Sequence, residues 1–407
     1  MVSLVRGGAS ARSVARRFGV SLSHLQYWLR RAGSVRLDRV VWVDQPLGST
    51  APSNGTPDSV VERIRQARGS LRLSALGDCG AQAIRDELLK LDPQSPVPCV
   101  RTIGRILRRT GLLDGRIRTR RPPPPPGWYL PALARREAEL DSFDTVEGLV
   151  IIGGIQVEVL NAMSLHGHLP GSWPEGPFTT DSVLAALLAH WRQQGRPFYA
   201  QFDNAPIFQG PHHYADTLGR VVRLCHQLDI TPVFAPPRET GFQAAIESYN
   251  ARWQSRVWKR FPHSSLVDLR TRSDAYVQAS RAKHSLLIAS AAPLRRPFPA
   301  SFVFDPVAPL AGTVVFLRRT NEEGTLTVMG RPYSAGQQWQ HRLVRAELNF
   351  SLGSLDLYAL RRAAHTLQPR LGQIPYQPLP KQPGGSPAQP DLASRGNRLG
   401  SKSHTTK

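Results

Sequence analysis

The sequence predicts a multidomain chain, with all-α modules at the N-terminus, an α/β core in the middle and a small all-β module near the C-terminus. Three observations carry that reading. Apolar residues recur at helical spacing among arginines up to residue 113. Between residues 132 and 300, β-prone runs alternate with helical ones. Residues 312–333 show two-residue alternation broken by a Glu323-Gly324 turn, with further strand-like runs at 341–348 and 354–359. At 407 residues the chain has room for two to four domains and at least one well-buried core. The formal net charge of +22 is unevenly spread, with 22 Lys and Arg against 9 Asp and Glu in residues 1–131, 17 against 15 in 132–300 and 13 against 6 in 301–407. Basic arms around an acid-rich centre point to a polyanionic partner.

Taken in order, residues 1–35 place Val14, Ala15 and Phe18 on one helix, a break at Gly19, and a second helix opening at Ser21 with Leu22, Leu25 and Leu29 as its apolar stripe. The small Ala15 and the Gly19 turn make this run resemble a helix-turn-helix. The resemblance implies that Ser23, His24, Gln26 and Tyr27 face a DNA groove while Arg16, Arg17, Arg30 and Arg31 meet phosphates. Residues 36–56, rich in Pro, Gly, Ser and Asn, read as a linker. Residues 57–114 hold three helical stripes, marked by Val60, Ile64 and Ala67, by Ile84, Leu88 and Leu91, and by Val100, Ile103 and Leu107. The last two look like a second helix-turn-helix, with Arg101, Arg105, Arg108 and Arg109 on its contact side. Four arginines and five consecutive prolines make 115–131 a stiff spacer.

The core is placed at 132–300. Strands are expected up to Ser164, then a loop carrying His166, His168 and Trp173, a helix at 181–194, a strand at 198–202, a helix near 214–228, a strand at 231–234, and helices from Glu247 onward to about 285. For residues 301–367 the expectation is a hairpin over 312–333 followed by strands at 341–348 and 354–359, closing a small barrel that resembles an SH3-like domain. The tail, 368–407, is expected to be disordered.

Two runs carry the chemistry. In Tyr199-Ala-Gln-Phe-Asp-Asn-Ala, an apolar β-prone run ends on Asp203, where α/β folds present reactive groups. In Thr240-Gly-Phe-Gln-Ala-Ala-Ile-Glu-Ser-Tyr-Asn, a turn opens a helix whose stripe is Ala245, Tyr249, Trp253 and Val257, with Glu247 beside it. Upstream, Glu139-Leu-Asp-Ser-Phe-Asp-Thr offers Asp141 and Asp144. An Asp on a first strand, an Asp-Asn after a later strand and a Glu on a helix together resemble the acidic triad of the retroviral-integrase and DDE-transposase superfamily, over roughly residues 135–285. The resemblance implies a ribonuclease-H-like core, catalytic and metal-binding roles for Asp144, Asp203 and Glu247, and Mg²⁺ or Mn²⁺ as the cofactor.

On a strand, residues three apart face opposite sides, so only one of Asp141 and Asp144 can point at the metals. Asp144, directly after an apolar residue, matches the superfamily's first acid. That superfamily usually follows its second Asp with Asn-Gly, where this chain has Asn204-Ala205. Helical spacing sets Asn250, Ala251 and Gln254 on the same side as Glu247, so Asn250 and Gln254 are expected to contact DNA. The implied activity is water-driven cleavage of a mobile element's ends, followed by attack of the freed 3′-hydroxyl on target DNA, by a homo-oligomer assembled on DNA. The alternative is a non-catalytic DNA-binding regulator or a domesticated, inactive transposase.

Cys79, Cys99 and Cys225 are isolated, which excludes a disulfide framework and a zinc site built from Cys alone. The paired spacing of an integrase zinc domain is also absent. No run approaches the ~18 apolar residues of a membrane span. A cytoplasmic, nucleoid-associated bacterial protein with no membrane partner is the expectation.

Overall fold

The computed structural model describes residues 1–44, 56–113, 126–211, 215–239, 241–362, 364–365 and 367–378. Most of the expected linkers at 36–56 and 115–131, and the tail beyond 378, lie outside the described residues. The chain divides into two compact units, Met1–Glu62 and a second beginning at Arg63.

In the first unit, helices Val2–Arg6, Ala11–Phe18 and Leu22–Ala32 surround Val14, Ala15 and Leu25. Gly19 ends the middle helix at φ 67°, a left-handed conformation natural to glycine. Ser21 caps the next helix, its side chain accepting from the His24 amide.

The second unit is organised on one sheet. Its strands are β1 (Leu140–Ile151), β2 (Ile155–Ser164), β3 (Pro170–Glu175), β4 (Tyr199–Phe202), β5 (Thr231–Phe234), β6 (Thr313–Arg319), β7 (Thr325–Val328), β8 (Arg331–Ser334), β9 (Leu343–Asn349), β10 (Ser354–Ala359) and β11 (Arg370–Pro375). Nine of them form a mixed sheet in the order β11-β10-β9-β6-β5-β4-β1-β2-β3, and β7 pairs with β8 apart from it. β1 to β3 run antiparallel, while β4 is parallel to β1, β5 to β4 and β6 to β5. This mixed α/β arrangement is consistent with the expected ribonuclease-H-like core.

Each face of the sheet has its own cover. On one, Phe143 stacks on Phe202 at 5.5 Å and Phe234 on Phe316 at 5.4 Å, in a cluster that includes Val183 and Leu187 of helix Thr180–Gln194 and Val221 and Leu224 of helix Arg220–Gln227. On the other, Val146, Val157, Val159 and Met163 meet Ile246, Tyr249 and Trp253 of helix Ala244–Trp253. That helix runs on into a π-helical turn, Gln254–Trp258, of the kind often found near functional sites. The second helical module is held to this unit by Arg260, which donates to the Ser74 carbonyl at 2.7 Å, and by Leu76 packing at the edge of the Trp253 cluster.

Several expectations are corrected. The barrel expected over 301–367 is replaced by an extension of the core sheet, because β6 pairs with β5 through Val233–Val315 and Phe234–Phe316. Val314 through Arg318 are all buried, the signature of a strand covered on both faces rather than of an alternating barrel strand. The expected 312–333 hairpin fails for the same reason: β6 pairs with β5 and β9, which leaves β7 to pair with β8. Trp173 lies in β3 and not in a loop. The tail expected from 368 begins with β11, paired to β10. Among the described residues no helix is long and apolar enough to cross a membrane.

Candidate active site

Parallel pairing fixes where the first two acids lie. β1 and β4 are in register at Ser142–Gln201, and the Ser142 hydroxyl donates to Gln201 Oε1 at 2.9 Å. Two residues further along each strand, on the same face, stand Asp144 and Asp203, on neighbouring strands ~4.8 Å apart. Asp203 follows the last residue of β4, and its Oδ1 accepts from the Ala205 amide at 3.0 Å, which fixes its direction. Ala205 has φ −59°, so this turn does not need the glycine usual in the superfamily. Asn204 points to the opposite face, where Arg318 donates to its Oδ1 at 2.8 Å.

Helix Ala244–Trp253 crosses the Asp144 face and brings Glu247, which is exposed, to the same region. Asn250, one turn on, is buried, and its amide donates to Asp144 Oδ2 at 2.7 Å while Asn161 donates to its Oδ1 at 2.8 Å. Both ends of the Asn250 side chain are therefore occupied within the protein, which corrects its expected role as a DNA contact. Helical spacing gave its direction correctly, but that direction is turned toward β2. Gln254, at the start of the π-helical turn, is half-buried, and Ala251 is exposed.

Asp141 is excluded as the first acid. It is wholly buried on the other face, where Arg295 grips both carboxylate oxygens at 2.7 and 2.8 Å and Trp191 donates at 3.1 Å. Burial opposes its ionisation, yet the Arg295 guanidinium, helped by His190, holds its pKa well below the usual carboxylate range.

At Asp144 the balance is reversed. Burial, then the charges of Asp203 and Glu247, push its pKa up to about 6 against hydrogen bonds from Thr145 and Asn250. Asp203 is also raised, by burial and then by Glu147. Among the described residues no Lys, Arg or His forms an ion pair with Asp144, Asp203 or Glu247. The charges of Asp203 and Glu247 are felt at Asp144, but among the described residues no three such side chains converge tightly enough to cage a metal ion as they stand. Glu247 is exposed, and its charge reaches Asp144.

The raised pKa makes a prediction. The folded, metal-free protein takes up the Asp144 proton more readily than the unfolded chain does, so the penalty is relieved and stability rises as pH is lowered through about 6 toward the ordinary carboxylate pKa of about 4. Above pH 6 the full penalty applies, ~1–2 kcal/mol after discounting for partial exposure. Asp144→Asn should flatten this rise, whatever constant offset its altered hydrogen bonds introduce. Thermal unfolding in chelator at pH 8, 6 and 4.5 checks it, and equal pH slopes for both proteins would refute it.

The other expected site residues lie elsewhere. Ser23, His24, Gln26, Tyr27 and Arg30 are exposed on helix Leu22–Ala32, whereas Arg31 is half-buried, over Trp28 at 5.1 Å and donating to Tyr27 at 3.0 Å. Arg101, Arg105, Arg108 and Arg109 are exposed on helix Val100–Arg109. Residues that the sequence reading missed are Asn161 and Ser172 behind Asp144, Arg295 on Asp141, and the buried Arg318. The parity of β2 could have found Asn161, a polar residue among apolar ones.

No family model matches the chain, and no curated protein matches it. Solved structures do align. An intasome of simian T-cell lymphotropic virus in complex with a PP2A regulatory subunit aligns at 12% identity and TM-score 0.33, covering 72% of this chain and 91% of that one. The HTLV-2 integrase catalytic core domain in complex with magnesium aligns at 12% identity and TM-score 0.25, covering 33% and 81%. The catalytic core domain of BIV integrase aligns at 16% identity and TM-score 0.26, covering 36% and 97%. Similarity of this degree leaves the assignment of the site to its own geometry.

Proposed function

We propose that the chain is a metal-dependent polynucleotidyl transferase of the transposase and integrase type, cutting the ends of a mobile element and joining them to target DNA. The observation that carries this reading is the placement of Asp144 and Asp203 side by side at neighbouring parallel strands, with the Glu247 helix across the same face and, among the described residues, no cation paired with them. Carboxylate oxygens without a cationic partner are the donor set that hard divalent cations take. Asp144, Asp203 and Glu247 would hold Mg²⁺ or Mn²⁺, which when bound neutralises charge on the attacking and leaving oxygens of a phosphodiester. The chain's own contribution is to aim these acids, through the Ala205 amide at Asp203 and the Asn250 amide at Asp144.

The uneven positive charge supports DNA as the polyanion, read by exposed residues of helix Leu22–Ala32 and gripped by those of Val100–Arg109. Binding of the full chain to a duplex carrying an element end should fall ~10³-fold between 50 and 200 mM salt if six or more phosphates are contacted. Replacing Arg105 and Arg109 by alanine should lower the salt slope by about 2. Fluorescence anisotropy measures both, and equal affinity for a scrambled duplex would reject sequence reading.

The second reading is a DNA-binding protein without catalysis, which would need only the exposed residues of helices Leu22–Ala32 and Val100–Arg109. A strand-transfer assay with the DNA flanking the gene, with and without Mg²⁺, decides between them. Joined products that need the metal support the transferase. Specific binding without products supports the regulator.

A further inference from the structure

Behind Asp144 runs a line of buried polar side chains that the chemistry above does not use. Backbone register places Ser172 of β3 beside Asn161 of β2, and Asn161 beside Asp144 of β1, so the three stand in a row across the sheet on one face. Tyr249 and Asn250, consecutive on the helix above, close the line. Ser172 Oγ donates to Asn161 Oδ1 at 2.6 Å, Asn161 Nδ2 donates to Asn250 Oδ1 at 2.8 Å, and Asn250 Nδ2 donates to Asp144 Oδ2 at 2.7 Å. Ser172 has one proton and gives it to Asn161. The contact between Ser172 and the Tyr249 hydroxyl, 2.8 Å, is therefore a donation from Tyr249.

The four bonds share one direction. With its oxygen taken by Ser172, Asn161 can offer Asn250 only its NH₂ group, and Asn250 in turn can offer Asp144 only its own. The ionised Asp144 carboxylate can only accept, and that one direction is kept along the line back to Ser172 and Tyr249. Tyr249, Asn161, Ser172 and Asn250 are all buried, next to an apolar cluster that includes Val159, Met163 and Trp253. A row of apolar side chains would fill this space without the desolvation that buried polar groups incur. A fully satisfied polar line instead specifies one arrangement, and here its last member is an acid.

We propose that Tyr249, Ser172 and Asn161 are positioning residues: by locking the Asn250 amide they set the orientation of the Asp144 carboxylate toward the metal. This rests on the reading of Asp144 as a metal ligand. Asp144 then keeps one rotamer, with Oδ2 tethered to Asn250 and Oδ1 to the Thr145 amide at 3.1 Å, and the remaining lone pairs are presented as a fixed set. Loss of groups in this supporting role typically weakens metal binding by about 10–100-fold.

The test is Mn²⁺ titration of the full-length protein followed by electron paramagnetic resonance, with thermal unfolding alongside. Ser172→Ala should weaken Mn²⁺ binding about tenfold, and excess metal should restore the cleavage rate. Ser172→Thr, which keeps the hydroxyl, should bind as wild type does. Tyr249→Phe removes only the first donor and should weaken binding to a lesser degree, and it serves as the probe if Ser172→Ala does not fold. Wild-type Mn²⁺ affinity in the folded members of this pair would overturn the proposal while leaving the metal site standing. A wild-type protein that binds no Mn²⁺ would remove the metal reading, and this inference with it.

Discussion

Alanine at Asp203 or Glu247 is expected to lower Mg²⁺-dependent strand cleavage by ~10³-fold or more, equivalent to roughly 4 kcal/mol of lost transition-state stabilisation. The two substitutions reach that result differently. Asp203 is fixed by the Ala205 amide on the end of β4, so its loss removes a preset ligand from the side of Asp144. Glu247 is exposed, and its loss would remove the one carboxylate of the three that the helix contributes. Both variants should keep their affinity for element-end DNA, because the residues assigned to binding lie on helices Leu22–Ala32 and Val100–Arg109. Gel-based cleavage and anisotropy on the same preparations make the comparison, and retained cleavage in either variant rules out the assignment of that acid.

The largest effect on stability is expected at Arg295. Its side chain is almost completely enclosed and is bound to both oxygens of Asp141, which is itself fully buried. Arg295→Met leaves that carboxylate with Trp191 and His190 but without its guanidinium partner, and breaking a buried pair in this way typically costs ~3–5 kcal/mol. Because the folded pKa of Asp141 is depressed, the stability this pair contributes is present above the ordinary carboxylate pKa and disappears as pH falls through the folded value. A double variant, Arg295→Met with Asp141→Leu, should recover much of the loss, since apolar side chains of similar volume often replace a buried ion pair at little cost. Urea unfolding at pH 7 reads all three proteins. A loss below ~1 kcal/mol in Arg295→Met would show the pair to be worth no more than one on the surface.

Much of the site was legible because its signals are local. An apolar strand ending in Asp-Asn located Asp203, and the four-residue stripe through Tyr249 and Trp253 located the Glu247 helix and its buried side. Strand parity separated Asp141 from Asp144, as the structure bears out by giving one to Arg295 and leaving the other beside Asp203. What was missed depends on partners distant in sequence. Nothing near Asp141 announces Arg295, 154 residues away, and nothing near Asn250 announces Asn161, 89 residues away. Periodicity gives the direction of a side chain and cannot say which element occupies that direction. The C-terminal strands failed in a similar way: β6, β9 and β10 were readable as strands, but β11 was not, and neither was the pairing of β6 with β5. The five buried positions in β6 carried the one hint of two-sided burial.

The joining of β6 to β5 also bears on how the protein is made. A core ending near residue 300 would leave β5 as an open edge strand, its unpaired amides and carbonyls a template for any other extended chain. β6 covers that edge, but it lies about eighty residues further along, and β9, β10 and β11 must follow before the sheet reaches its own last strand. During synthesis the ribosome therefore releases the three acids well before the chain can protect the sheet that aims them. The β5 edge is therefore open in the nascent chain until β6 emerges, an interval in which an unpaired strand edge is prone to aggregation.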